Sequence, residues 1–249
     1  MTDHQRTLRV ERMGRVGYGP MLALQEERHA EVCDGTRDDT LFLLEHEPVV
    51  TLGRNSGAGN ILVSREQLSA RGVELFETGR GGDVTYHGPG QIVGYPIVRL
   101  RDSERDIKRF VGLLEEIVIR TAHDFDVDAA RVDGLRGIWV GDDKIGAVGV
   151  RIARWTTMHG FAFNVNDADL DLDLALFDGF SLIVPCGLHG KGVTSLESQT
   201  GCPIELGTVN DRLAHHAASV FARRGIECPA SPLPVARSTA EPATHGAVV

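Results

Sequence analysis

The chain has 249 residues, 42% of them hydrophobic and 24% charged, which is enough for one large domain with its own core. Its formal charge of -9 argues against a partner held by nucleic-acid phosphates. No run of about 18 apolar residues occurs and no apolar stretch follows the charged start MTDHQRTLRVERMG, so neither a membrane span nor a secretory signal is expected and the expected location is cytoplasmic.

In chain order the pattern predicts a strand at LRVERM, a helix from Met21 to Val32, and strands at DTLFLLEHE and VVTLG. The densest glycine cluster follows, TGRGGDVTYHGPGQIVGYP from Thr78 to Pro96. It fails the dinucleotide template, because Val84 stands where the third glycine is required. Two readings of it stay open: a turn-rich hairpin with solvated polar side chains, or an ordered loop that brings Arg80, Tyr86 and His87 against a ligand. Next comes a helix capped by Ser103, with Ile107, Phe110, Val111, Leu114, Ile117, Val118 and Thr121 on its buried face. VDAARV, GIWVG, KIGAVGVRI and TMHGFAFNV then read as four strands of an antiparallel meander, and a last helix spans Gly207 to Arg223. The fold class expected is α+β, a mixed or antiparallel sheet with packed helices, with residues 1–228 as one domain. After Cys228 the composition turns rich in Pro, Ala, Ser and Thr, and residues 229–249 read as a disordered tail.

Four cysteines form no CxxC pair, so each is judged as a single thiol. Cys33, Cys202 and Cys228 read as small buried hydrophobes. Cys186 differs: it follows the apolar run FSLIV and sits between Pro185 and Gly187, where a strand ends and the chain can turn. A thiol acting as nucleophile needs a partner that lowers its pKa from about 8.5 or takes its proton. His189 and Lys191 are near in sequence, and Lys144 stands further off in GDDKIGAVG. Only three of the 26 basic residues are lysines, and a lysine can surrender a proton when desolvated whereas an arginine does not. On these residues alone Lys144 reads first as a hairpin-tip charge beside Asp142 and Asp143. The P-loop template fails at Gly190-Lys191, where Pro185 and Gly192 replace the required residues, and no HExxH or CxxC supplies further metal ligands.

Five segments in order, LEHEPVVTLGR, RGGDVTYHGPGQIVGYPI, KIGAVGVRI, HGFAFNV and PCGLHGKGVTSL, make the chain from about Leu8 to Ile204 resemble the lipoyl(octanoyl) transferases. The resemblance implies the α+β fold of the biotin and lipoate protein ligases, and transfer of octanoyl from acyl carrier protein to a lysine of a lipoyl domain. It implies a dyad of Cys186, carrying the acyl group as a thioester, and Lys144, which lowers its pKa. It also implies an acyl-binding wall of Arg80, Gly81, Gly82, Asp83, Val84, Thr85, Tyr86 and His87, of Ala147, Val148 and Gly149, and of Gly160, Phe161 and Ala162. Val148, Phe161 and Phe163 are expected to line the acyl tunnel. No ATP, metal or other cofactor is expected, because the incoming thioester is already activated. The partners implied are acyl carrier protein, the lipoyl domains of 2-oxoacid dehydrogenase E2 subunits and the glycine cleavage H protein, with neither nucleic acid nor membrane. An ATP-dependent lipoate or biotin ligase, a carrier-binding module without activity, and a thioesterase are the rival readings.

Overall fold

The stretch DTLFLLEH is buried along almost its whole length, as a strand with neighbours on both edges and both faces must be. In the computed structural model, which describes residues 6–57, 59–167, 175–184 and 191–234, it forms the centre of the molecule. The elements in order are β1 (Thr7–Val16), α1 (Tyr18–Asp34), β2 (Asp39–His46), β3 (Val49–Leu52), α2 (Arg65–Ala70), β4 (Glu74–Glu77), β5 (Thr85–His87) and β6 (Gln91–Ile97). After them come α3 (Ile107–His123), β7 (Ile138–Val140), β8 (Asp143–Ala153), β9 (Thr156–Asn164), α4 (Leu176–Phe180), β10 (Gly192–Val193), α5 (Leu196–Thr200), α6 (Leu206–Val220) and β11 (Arg224–Cys228). The main sheet runs β10-β8-β9-β6-β2-β1-β11, with β7 added on β8, and a small sheet runs β4-β3-β5.

One face of the main sheet is covered by α3 and α6. Leu41, Leu43, Ile92, Phe161 and Phe163 meet Phe110, Leu114, Ile117 and Val118 of α3 and Leu213 of α6 there. The other face carries α1, whose Met21, Leu24 and Val32 pack on Phe42, Leu44, Val93, Ile97 and Met158. The small sheet closes a third cluster of Val50, Leu68, Val84, Tyr86, Leu176 and Ile183. This is the expected α+β arrangement.

Several local expectations change. The cap of α3 is Asp106, whose carboxylate accepts from the Arg109 N–H, while Ser103 lies in a short 3-10 turn ahead of it. Ile107, one residue after that cap, is consequently 54% exposed instead of facing the core. VDAARV makes only a single bridge, Ala130 to Trp139, so the meander has three strands, β7, β8 and β9. The last helix stops at Val220, and Arg224–Cys228 becomes a strand parallel to β1. Cys202 is exposed and Cys33 and Cys228 are half-buried, so none of these is the buried hydrophobe expected. Beyond Cys228, the Ser231 N–H donates to Glu11, Arg28 donates to Ser231, and Leu233 packs beside α1; residues 235–249 lie outside the described residues.

The β8–β9 ladder is continuous from Gly146↔Phe163 to Ala153↔Thr156. At Gly160 a Cβ would stand 2.1 Å from the Gly94 carbonyl oxygen and 2.6 Å from Pro96 Cδ, so β9 reaches β6 only because that position has no side chain. Gly160→Ala is therefore expected to force the two strands apart and cost at least the 1–3 kcal/mol typical of overpacking, measured as a lower urea midpoint at unchanged slope.

Candidate functional site

Between the pocket-facing side of β8, β9 and β6 and the loop before β5 lies a slot of about 880 Å³, counting the part open to solvent. Its floor is made of small residues, because Ala147 pairs with Ala162 and Gly149 with Gly160 across the ladder. The loop 80–83 roofs it. That loop is not solvated: its backbone accepts from Gly53, Arg54 and Asn55, and the Gly81 N–H donates to the Val150 carbonyl at 2.8 Å. Arg80 is buried and donates to the Thr51 carbonyl at 2.7 Å and to its hydroxyl at 2.9 Å. Asp83 accepts from Asn60 at 2.6 Å. The glycine cluster is therefore an ordered loop and not a solvated hairpin, with Arg80 and His87, but not Tyr86, at the slot.

Of the positions expected to form the wall, Arg80, Gly82, Asp83, Val84, Thr85, His87, Ala147, Gly149, Gly160 and Ala162 line this slot together with Lys144; Val148 and Phe161 border it as well, although their side chains pack in the core with α3 and α6. Gly81 and Tyr86 do not. Tyr86 turns the other way, into the cluster under α4, where its ring meets Gly179 and stands edge-on to Phe180 at 5.7 Å, and burial raises its hydroxyl pKa well above the usual value. Phe163 also departs from expectation: it does not line the slot, and like Phe161 two residues before it, it faces α3 and α6 in the main core, on the opposite side of β9 from Ala162.

Lys144 lies in β8, paired with Trp139 of β7 and Val193 of β10, and is not at a hairpin tip. Its ammonium stands 5.5 Å from the centre of the Trp139 ring. The side chain passes over Gly137, where a Cβ would come within 2.5 Å of Lys144 Cε, and the +100° φ of Gly137 is one that glycine alone adopts freely. Cys186 and His189 lie outside the described residues, but both flanks of their segment are anchored beside the slot. On one side the Val184 N–H donates to the Asn60 carbonyl at 2.9 Å, and Asn60 is the residue that holds Asp83. On the other, Lys191 is ion-paired with Asp142 and Gly192–Val193 runs parallel to Asp143–Lys144.

Sequence reasoning missed a set of buried polar side chains along the slot, Tyr18, Gln91, Tyr95, His159 and Asn164, and His46 behind Tyr18 and Tyr95. His87 Nδ1 lies 2.6 Å from Gln91 Oε1, which can only accept, so Nδ1 carries the proton and Nε2 is left as an acceptor. Gln91 donates to Asn164 at 2.9 Å, Asn164 donates to the Thr194 carbonyl at 2.9 Å, and the Thr194 N–H donates to the Lys144 carbonyl at 3.0 Å. A chain of hydrogen bonds thus links His87 to the strand that carries Lys144. Likewise His46 Nδ1 donates to the Val16 carbonyl at 3.0 Å, so its Nε2 accepts from the Tyr95 hydroxyl at 2.7 Å. The available clue was that Gln91, Tyr95 and Asn164 interrupt otherwise apolar strands.

Burial holds all three histidines neutral. It pushes His46 down to about 4, and His87 and His159 to about 3, with the Arg80 charge lowering the last two further and the neighbouring His46 adding to the effect on His87. In the unfolded chain each titrates near 6.5, so between that value and the folded ones the unfolded state binds more protons. Their contribution to stability is complete above about pH 6.5 and is lost as pH falls through 6 toward 4, each histidine adding a slope of about 1.4 kcal/mol per pH unit. Denaturant unfolding from pH 7.5 to 4.5 is expected to show this decline, and a flat profile would contradict the neutral buried state.

The lipoyl protein ligase A/B catalytic-domain model matches residues 18–218. An octanoyltransferase of Caldicellulosiruptor bescii is 48% identical over 213 residues, covering 85% of this chain and 90% of that one. An octanoyltransferase of Solibacter usitatus is 45% identical over 212 residues, covering 85% and 92%. Among solved structures, a putative lipoate protein ligase from T. acidophilum with bound lipoic acid aligns with a TM-score of 0.67 at 15% identity, covering 90% of this chain and 89% of that one. A lipoate-protein ligase A bound with ATP gives 0.67 at 14% identity, covering 91% and 90%. The ladder, roofing loop and slot therefore belong to a lipoate protein ligase fold, and the chain is a member of the lipoyl protein ligase A/B catalytic-domain family, on the side of the octanoyltransferases.

Proposed function

We propose that this chain moves an octanoyl group from acyl carrier protein to a lysine of a lipoyl domain, such as those of 2-oxoacid dehydrogenase E2 subunits or the glycine cleavage H protein, in the cytoplasm. The observation that carries the reading is the slot: a floor of small residues under an ordered loop, with one lysine at its open end and relatives named octanoyltransferase at 45–48% identity. In the proposed cycle the Lys144 amine takes the proton of Cys186, and the thiolate adds to the thioester carbonyl of octanoyl-acyl carrier protein. The phosphopantetheine thiol leaves with a proton, so one thioester replaces another. The acceptor lysine amine then attacks the enzyme thioester, loses its proton to Lys144, and Cys186 departs as the leaving thiolate.

Energetically the sequence runs downhill without ATP, since the final amide is more stable than either thioester, and the reading needs no metal or other cofactor. The segment that carries Cys186 is tied at Val184 and at Val193, whose β-partner is Lys144. Seven methylene and methyl groups of octanoyl, fully buried, would contribute about 5–6 kcal/mol at about 0.8 kcal/mol each.

Incubation with octanoyl-acyl carrier protein and no acceptor is expected to leave an octanoyl adduct on Cys186, seen by mass mapping. A missing adduct with intact acceptor modification would exclude the covalent route, and retention of transfer by Cys186→Ala with ATP dependence would favour a ligase. Release of free octanoate in place of acceptor modification would mark a thioesterase. Lys144→Arg keeps the charge but not a removable proton, so its acyl transfer is expected to fall by about 10²–10⁴-fold, read as the single-turnover rate of adduct formation.

A further inference from the structure

The end of the slot farthest from Lys144 is polar, which a hydrocarbon chain does not call for. Across the ladder Val150 pairs with His159, and Gly94, the neighbour of Tyr95, pairs with Phe161, so Tyr95 and His159 stand in the same row as Gly149. Five residues of extended strand separate Lys144 from Gly149, about 17 Å. Exposure falls in the same direction. Arg136 is exposed and Lys144, Phe180 and Val193 are half-buried, while Tyr18, Tyr95 and His159 are 1%, 3% and 2% exposed although they line the slot.

This closed end is held with care. His159 has a φ of +61°, a region that side-chain-bearing residues enter only when the surroundings impose it, and its N–H is pinned by Gln25 Oε1 at 3.0 Å. Its ring stands edge-on to Tyr95 at 6.3 Å. The Tyr95 hydroxyl is committed to His46, and the His46 ring is 5.1 Å from that of Tyr18. Overhead, the bond from Gly81 to Val150 shuts the roof on this row. None of Tyr18, His46, Tyr95 or His159 has a part in the proton transfers at the Lys144 end.

We propose that Tyr18, Tyr95 and His159, backed by His46 and roofed by the Arg80 loop, form a polar stop that ends the apolar part of the slot at the length of an eight-carbon acyl chain and so sets which acyl group is transferred. This rests on the acyl-transfer reading above. An extended octanoyl chain is about 9 Å long, and the Lys144 side chain with the reacting thioester takes up the remainder of the row. A longer chain would push methylene groups against hydroxyl and ring-nitrogen atoms that have hydrogen bonds to lose, whereas an apolar end would reward each added carbon.

The test measures kcat/KM for carrier proteins bearing hexanoyl, octanoyl, decanoyl, dodecanoyl and tetradecanoyl thioesters, in the unaltered protein, in Tyr95→Phe and in His159→Gly, which tolerates the positive φ. In the unaltered protein dodecanoyl is expected to react at least about tenfold more slowly than octanoyl. Each variant is expected to raise the dodecanoyl-to-octanoyl ratio about tenfold, a ratio that partial unfolding does not move. Equal rates for dodecanoyl and octanoyl in the unaltered protein would overturn the stop without any variant, as would an unmoved ratio in variants that still transfer octanoyl. Absence of transfer at every chain length would overturn the acyl-transfer reading itself, and the stop with it.

Discussion

The register of β8 against β9 is the constraint on which the slot depends. It sets Ala147 opposite Ala162 and Gly149 opposite Gly160 on one face, and Val148 opposite Phe161 on the other. A slip of one residue would exchange the faces, filling the slot with Val148 and Phe161 and leaving alanines and glycines against α3. Lys144 lies on β8 just before that ladder begins and His159 lies within it, so the floor and both ends of the slot are set by a single pairing. Gly160 and Gly94 keep the next strand, β6, close enough to continue the floor, since a side chain at Gly160 would strike the Gly94 carbonyl.

Polarity inside the slot is arranged without mobile charge. His46, His87 and His159 are neutral at ordinary pH because burial opposes the imidazolium, and the Arg80 guanidinium nearby opposes it further for His87 and His159. Burial likewise pushes Tyr18 up to about 12 and Tyr95 well above its usual range, so both phenols keep their protons. These groups are fixed hydrogen-bonding surfaces, which suits the acyl-binding wall proposed above. The proton transfers proposed above fall at the other, half-buried end, where Lys144 stands against Trp139.

Much of this was legible in the sequence because glycine-rich runs with embedded Arg and His are poor core and poor helix. RGGDVTYH meets the β8–β9 hairpin of KIGAVGVRI and HGFAFNV, about 60 positions further along, at the slot, and KIGAVGVRI brings Lys144 with it. What was not legible depends on tertiary placement. Tyr86 and His87 are adjacent and equally polar, yet strand alternation sends one under α4 and the other to the slot. Phe161 and Phe163, two apart on β9, share the face toward α3 and α6, and nothing local in HGFAFNV says which face that is. RGIEC carries no strand signal beyond its length, and becomes β11 because the edge of β1 offers five parallel partners. Tyr95 and His46 belong to buried strands, and nothing local says that their polar atoms would find each other 49 positions apart.

Separating the two ends of the slot has a consequence for how chain length would be sensed. If the methyl end meets a rigid stop, a chain too long by two carbons cannot compress, and the added length of about 2.5 Å is passed to the thioester carbonyl at the other end. A displacement of about 1 Å at a reacting centre can cost 10²-fold in rate, which exceeds what two methylenes lose in binding to an apolar wall. Chain length would then be judged at the Lys144 end through the position of the carbonyl, although it is measured at Tyr95 and His159. A rigid ladder is what allows this, because a floor that yielded would absorb the misfit before it reached the chemistry.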